Sequence, residues 1–208
     1  MPKYIYPPRP KSVLLPAQLP EEEARGHWLW QHKFNGDHCV IVVESTGTSR
    51  KVHLGNRHGR FYPNNKFLKI RSQFSSEKFL LPKGTHYLDG ELLVENGMES
   101  LVLFDVMQWT QYLIGKTQEQ RLDMLREICG APTEPCAEKI ALSVTDNIWL
   151  ARTGDRDFVE HYNEYIENPL IEGLVLKKWD SVLDNWGSSE YEVDWLIRCR
   201  KPSKKYRF

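Results

Sequence analysis

Four short stretches of the 208-residue sequence place charged or amide side chains at the ends of apolar, strand-like segments. They are Lys33-Phe34-Asn35-Gly36, Asp89-Gly90-Glu91, Leu103-Phe104-Asp105 and Glu172-Gly173-Leu174-Val175-Leu176-Lys177. Each alone is commonplace, since a lysine before a glycine turn is ordinarily solvated and an Asp-Gly pair ordinarily marks a hairpin. Together, and with Arg198 and Arg200 further on, they supply the parts for attack by an amine on a charged centre. A lysine of ordinary pKa, about 10.4, is a free amine in only about one molecule in a thousand near neutral pH. A nucleophilic lysine therefore needs neighbours that disfavour the ammonium, and Lys177, Arg198, Arg200 and a bound divalent cation would do this around Lys33. The same cations would compensate charge developing on a phosphate under attack. Glu91 and Glu172 offer the hard oxygen ligands that magnesium prefers, with water and phosphate oxygens completing its octahedron.

These side chains need strands to hold them. Trp28 to Lys33 and the run Val40-Ile41-Val42-Val43 read as two strands joined at a tight turn containing Gly36, which leaves Lys33 at a strand end. A hairpin is predicted from Tyr87–Val94 and Leu101–Val106 through the turn Glu95-Asn96-Gly97. Further strands fit Gly173–Lys178 and Trp195–Cys199. Thr117 and Gln120 form a capping box ahead of Leu122, Leu125 and Ile128, which predicts an amphipathic helix over Gln118–Cys129. A second helix is predicted over Asp157–Asn168, where Phe158, Tyr162, Tyr165 and Ile166 recur at helical spacing before Pro169. Half of the 12 prolines lie in residues 1–20, so this segment is expected to be an extended arm without regular structure, its Lys3, Arg9 and Lys11 free to touch a polyanion. Runs of strands with two inserted helices predict an α+β fold of largely antiparallel sheet.

Composition narrows the class. With 40% hydrophobic and 27% charged residues and a mean hydropathy of −0.54, the chain fits a globular protein and not a disordered one. A single domain over residues 1–208 is the expectation. The longest apolar run, Cys39 to Val43, is five residues long, whereas a membrane-spanning helix needs about 20. The proline-broken start has no secretory h-region, so a cytoplasmic protein without a membrane partner is expected. Cys39, Cys129, Cys136 and Cys199 form no CxxC pair, which signals neither zinc nor redox chemistry and suits reduced thiols. The 28 basic and 28 acidic residues cancel but are segregated. Residues 50–71 carry seven Lys or Arg and no acid, residues 198–208 carry six more, and residues 155–194 carry eleven acids against three bases. Basic segments around an acidic, metal-binding centre are what holding polyphosphate or nucleic acid requires.

Taken in order, the motifs resemble those of the covalent nucleotidyltransferases, the group of ATP-dependent DNA ligases, RNA ligases and messenger RNA capping enzymes, over about residues 28–201. Lys33-Phe34-Asn35-Gly36 is similar to the family's Lys-x-Asp-Gly motif, with Asn35 where Asp is commonest, and the resemblance implies that Lys33 carries the nucleotide. Asn56-Arg57-His58-Gly59 resembles Ser-Arg-x-Gly, implying that Arg57 holds the ribose and later the 5′-phosphate of a nicked strand. By the same resemblance Glu91 binds ribose and metal, Phe104 stacks on the purine, Glu172 is a second acid on the metal, and Arg198 and Arg200 stand in for two lysines at the α-phosphate. Lys177 closes the Glu-Gly-x-Val-x-Lys motif, and Gln31 occupies a position near the base where many DNA ligases have Glu.

The implied fold is an ATP-grasp-like nucleotidyltransferase domain of antiparallel sheets flanked by helices, in a minimal form without the OB-fold domain that most members carry. The implied reaction uses ATP and magnesium, with manganese as the alternative ion. A Lys33–AMP adduct passes AMP to a 5′-phosphate, and a 3′-hydroxyl then displaces it. The expected partner is a nicked duplex of DNA, RNA or a hybrid, and the expected state is a monomer. Arg57, Arg60 and Lys66, together with Lys201, Lys204 and Lys205 of the basic tail at residues 201–208, are the expected nucleic-acid contacts. Two alternatives stay open: a GTP-using, capping-type guanylyltransferase, which shares the first step, and a non-catalytic nucleic-acid-binding module.

Overall fold

Apolar, β-branched runs recur through the chain, and the computed structural model, which describes residues 2–95 and 97–202, pairs them into two sheets. The first part of the chain forms β1 (Arg9–Leu14), α1 (Leu19–Arg25), β2 (Trp28–Phe34), β3 (Asp37–Ser45), β4 (Arg50–Asn56) and α2 (Leu68–Gln73). The middle forms β5 (Gly84–Glu95), β6 (Met98–Trp109), β7 (Gln111–Tyr112) and α3 (Gln118–Ile128). The last part forms β8 (Ala141–Ser143), β9 (Ile148–Ala151), β10 (Thr153–Gly154), α4 (Phe158–Tyr165), β11 (Ile171–Lys178) and β12 (Glu192–Arg200). One sheet has the order β1-β12-β11-β2-β10 and the other β4-β3-β5-β6-β9-β8, with β7 paired to β6. Among these pairings only β1–β12 and β6–β9 are parallel, in keeping with the predicted α+β, largely antiparallel class.

Each sheet has its own core on its outer side. Ile41, Val43, Leu54, Leu88, Leu101 and Leu103 of the larger sheet pack with Ile70 and Phe74 of the α2 region and with Leu125 and Ile128 of α3. Val40 and Val42, on the opposite face of β3, are equally buried, which explains why residues 39–43 read as a continuous apolar run and not an alternating one. On the smaller sheet, Trp30, Leu174, Leu176 and Cys199 pack with Phe158 and Tyr162 of α4 and with Leu19 of α1. The Thr117 capping box forms as predicted. Helix α4 is shorter than its apolar spacing predicts, and the Glu23 carboxylate of α1 accepts hydrogen bonds from the Asp157 and Phe158 amides at its start (2.6 and 3.0 Å). All four cysteines are buried and unpaired. No helix among the described residues is long and apolar enough to cross a membrane.

Two sequence expectations are overturned. First, β2 and β3 are not a hairpin, because they belong to different sheets. The chain crosses between sheets at Asn35-Gly36, where a Cβ on Gly36 would lie 2.2 Å from the Leu92 carbonyl oxygen, so only glycine passes. Second, residues 1–20 are not an irregular arm. Strand β1 pairs along the edge strand position beside β12, where the amide that Pro10 lacks is not needed, and Pro16 and Pro20 stand in the first turns of a 3₁₀ helix and of α1. Arg9 and Lys11 are paired with Glu190 and Asp194, not held out for a polyanion.

His32, on the opposite face of β2 from Lys33, is 3% exposed among Trp30, Phe34 and Tyr165. Burial pushes its imidazole down to about 4. The unfolded chain takes up this proton near pH 6.5 and the native state does not, so the contribution is present above pH 6.5 and is lost as pH falls. In urea unfolding the wild type is expected to lose about 2 kcal/mol relative to a His32→Phe variant between pH 7 and 5, the comparison cancelling the other titrating groups.

Candidate active site

Directly opposed residues of antiparallel strands share a face. Across β2, β11 and β12, Lys33 lies opposite Gly173 and Gly173 opposite Arg200, while the next rows are Gln31–Val175–Arg198 and Leu29–Lys177–Leu196. One face of the smaller sheet therefore carries Gln31, Lys33, Lys177, Arg198 and Arg200. Glu172 sits at an irregularity in the β11–β2 register, and its Oε2 lies 2.6 Å from Lys33 Nζ and 3.2 Å from Arg200 Nε. Gly173, with φ +141°, lets β12 pass so closely that a Cβ would stand 2.0 Å from the Cys199 oxygen.

The larger sheet supplies the facing wall. His38 lies opposite Glu91, and Val40 opposite Asp89. In β6 one extra residue, Phe104, falls between the pairs Leu103–Gly90 and Asp105–Asp89. Such a bulge breaks the strict alternation of side chains, so that Phe104 and Asp105 both point toward the smaller sheet. The Phe104 ring stacks on His38 (6.1 Å between centroids, 26° between planes), and Lys177 Nζ lies 5.2 Å from its centroid. The two sheets meet here, because the Phe104 carbonyl accepts from Gln31 Nε2 (3.3 Å) and Lys177 Nζ (3.0 Å), and Glu91 Oε1 accepts from the Gly36 amide (3.2 Å). An amine flanked by a carboxylate and two guanidinium-bearing residues thus faces an aromatic ring and a second carboxylate.

No protein-family model and no curated protein sequence matches the chain. Solved structures do. The ligase domain of LigD from M. tuberculosis matches with a TM-score of 0.65 at 16% identity, over 93% of this chain and 59% of that one. A mycobacterial DNA ligase D complexed with ATP and MES gives 0.61 at 16%, over 94% and 60%. The chain has the nucleotidyltransferase fold of the ATP-dependent ligases. The bacteriophage T7 ATP-dependent DNA ligase, in complex with ATP, matches with a TM-score of 0.57 at 10% identity, over 91% of this chain and 67% of that one. The chain spans about three-fifths of the length of the two mycobacterial ligase structures.

Within this ligase fold the charges are graded by burial. Burial pushes the Glu91 carboxyl up to about 7, against the pull of His38 and Lys33. Against the burial that would lower it, Asp89 at 2.7 Å holds the His38 imidazole above its ordinary value. Lys177 is 4% exposed and is held inside by Asp105 (3.6 Å), so it supports Phe104 from behind and does not project into the open site. Asp105 is gripped at the same time by Arg121, through Nε (3.0 Å) and Nη2 (3.2 Å). These two cations outweigh burial and hold the Asp105 carboxyl below its usual range. Arg121 is 1% exposed and also donates to Gln118 Oε1 (2.7 Å).

The remaining sequence candidates are dispersed. Arg57 is exposed in the turn after β4, one residue past Asn56, whose strand partner Cys39 adjoins His38. Arg60 and Lys66 are exposed further along the same segment. Two other cations of the basic stretch are structural: Arg50 donates to the Phe74, Ser76 and Phe79 carbonyls, and Arg71 to those of Val52, Tyr62, Pro63 and Lys66. Lys201 Nζ donates to the Ile166 carbonyl (2.9 Å) at the C-terminal end of α4. Lys204 and Lys205 lie outside the described residues. His38 and Arg121 escaped the sequence reading. His38 looks like a solvated turn residue, and Arg121 looks like the polar face of α3 until its partner Asp105 is located in β6.

Proposed function

We propose that this chain is an ATP-dependent polynucleotide ligase that joins 5′-phosphate and 3′-hydroxyl ends at a nick in a DNA, RNA or hybrid duplex. The observation that carries this reading is the placement of Lys33 Nζ 2.6 Å from Glu172, beside Arg200 on one sheet and facing Phe104 and Glu91 on the other. ATP would lie between the sheets with its purine against Phe104 and its phosphates toward Arg198 and Arg200. Lys33 Nζ forms a bond to the α-phosphorus while the bond to the bridging oxygen breaks, and pyrophosphate departs with that electron pair. Two protons leave Nζ in all. Glu172 Oε2 is placed to take the first, and the departing pyrophosphate takes the second. In the next step the P–N bond breaks as the 5′-phosphate oxygen, held by Arg57, attacks the AMP phosphorus. The 3′-hydroxyl oxygen then forms a bond to the 5′-phosphorus, giving up its proton to solvent, while the anhydride bond breaks and AMP departs with that electron pair.

Glu91 and Glu172 fit magnesium by their chemistry, as hard carboxylate oxygens. Among the described residues no three His, Cys, Asp or Glu converge, which suits an ion that keeps most of its shell as water and phosphate. Bound there, it would neutralise phosphate charge.

Gln31 favours ATP over GTP. Its Nε2 donates to the Phe104 carbonyl and to Thr153 Oγ1 (3.0 Å), which fixes the amide orientation and leaves Oε1 as a free acceptor. Adenine offers an amino group at its 6-position and guanine a carbonyl. Intact-mass measurement after incubation with magnesium and either nucleotide tests the reading, and an AMP-sized increment from ATP alone is expected. A GMP increment would make the chain a guanylyltransferase. No increment, with salt-dependent duplex binding, would make it a binding module.

A further inference from the structure

The segment that the sequence offered as a loose arm grips the turn that carries Arg57. Tyr4 Oη donates to the Asn56 carbonyl (2.6 Å), and Arg9 Nη2 donates to the Arg57 carbonyl (2.9 Å). These two oxygens belong to the peptide units on either side of the Arg57 Cα, so together they fix both backbone torsions of that residue and hence the direction in which its side chain leaves the chain. The inner side of the turn is held separately, by Asn56 Oδ1 accepting from the His58 and Arg60 amides (3.0 and 3.2 Å). Tyr6 lies against Gly59, where φ is +76° and a Cβ would stand 2.3 Å from the tyrosine oxygen.

The grip is anchored on the other sheet. Arg9 forms a two-pronged pair with Glu190 (2.5 and 3.0 Å), its amide donates to the Tyr191 carbonyl (3.1 Å), and the Tyr6 amide donates to the Gly187 carbonyl (2.8 Å). Residues 4–9 therefore tie the turn after β4, in the larger sheet, to the segment leading into β12, which carries Arg198 and Arg200. A forked guanidinium can serve Glu190 and the Arg57 carbonyl together because its donors are fixed in one plane.

We propose that Tyr4 and Arg9 are positioning residues that aim Arg57 at the 5′-phosphate end of the nicked strand. This rests on the ligase reading above. A purely structural strap would need only the Arg9–Glu190 pair, whereas a positioning strap needs the donor at the Arg57 carbonyl. The charge-swapped variant Arg9→Glu with Glu190→Arg separates the two, because it remakes the ion pair and places no side-chain donor at position 9.

The test measures binding of a nicked duplex bearing a 5′-phosphate or a 5′-hydroxyl at the nick, with thermal stability read in parallel. The wild type is expected to prefer the phosphorylated nick. Tyr4→Phe and the charge swap are each expected to lose about tenfold of that preference, the scale of a lost hydrogen bond to a charged group, with the swap melting near the wild-type temperature. Tyr4→Phe is expected to cost nothing further in an Arg57→Ala background, since the strap acts through Arg57. Full recovery of the preference in the swap, or independent losses from Tyr4 and Arg57, would overturn the positioning role. A wild type that gains AMP on Lys33 and prefers the phosphorylated nick, with strap variants that do so equally, overturns the strap alone. A wild type that does neither overturns the ligase reading and the strap with it.

Discussion

A Lys33→Ala protein is expected to gain no nucleotide mass under conditions that label the wild type to near completion. The loss is expected to be total because the proposed step forms a covalent bond to Nζ, and among the described residues no second amine pairs with Glu172 beside Arg200. Lys177 is the nearest alternative by sequence motif, yet its ammonium is enclosed by Asp105 and the Phe104 carbonyl. Lys33→Arg is expected to be equally unlabelled, since a guanidinium keeps the charge but has no basic lone pair to donate. The fold should survive either change. Glu172 retains Arg200 at 3.2 Å when Lys33 is removed, and a partly exposed ion pair contributes no more than about 1 kcal/mol. Circular dichroism and melting alongside the mass measurement would show this. Persistent labelling of Lys33→Ala would mean that another residue is the carrier.

The largest effect on stability is expected at Asp105. Its carboxylate lies between two buried cations, Arg121 and Lys177, and has no solvent to replace it. Asp105→Ala removes the carboxylate that both contact, and breaking a buried pair by removing one partner costs about 3–5 kcal/mol. The exposed pair Arg25–Glu21 has the same chemistry with side chains 58% and 63% exposed, so Glu21→Ala should cost less than about 1 kcal/mol. Urea unfolding of the two variants compares like with like. Nucleotide affinity should fall in Asp105→Ala as well, because Lys177 fixes the Phe104 carbonyl and Phe104 is the ring expected to meet the purine. A loss at Asp105 no greater than that at Glu21 would show that the buried network is not under electrostatic load.

The parts of the fold that could be read from the sequence were those whose causes are local. The Thr117–Gln120 box sits within one helical turn, and the strands around Lys33, Glu91 and Glu172 announce themselves by aromatic and aliphatic residues. The parts that could not be read depend on partners distant in the chain. Nothing within residues 28–44 says that β2 and β3 belong to different sheets; that follows from the pairing of β2 with β11, some 140 residues on. The prolines near the start suggested irregularity because their compatibility with an edge strand depends on β12, at the other end of the chain. The bulge at Phe104 had no local sign either, since Leu-Phe-Asp reads equally well in regular alternation. Motif resemblance carried the site further than periodicity did. It picked out Lys33, Glu91, Phe104, Glu172 and Arg200, which the structure brings to facing walls, and it left out His38, whose pairing with Asp89 is defined only once β3 lies beside β5.

The passage of the chain through Asn35-Gly36 divides the labour of the site between the two sheets. Lys33, Glu172, Arg198 and Arg200 travel with the smaller sheet, so their mutual distances are indifferent to any breathing between the sheets. Glu91, His38 and Phe104 travel with the larger one. Lys33, the proposed nucleophile, is the fourth residue before the larger sheet resumes at Asp37, so it sits beside the crossing itself.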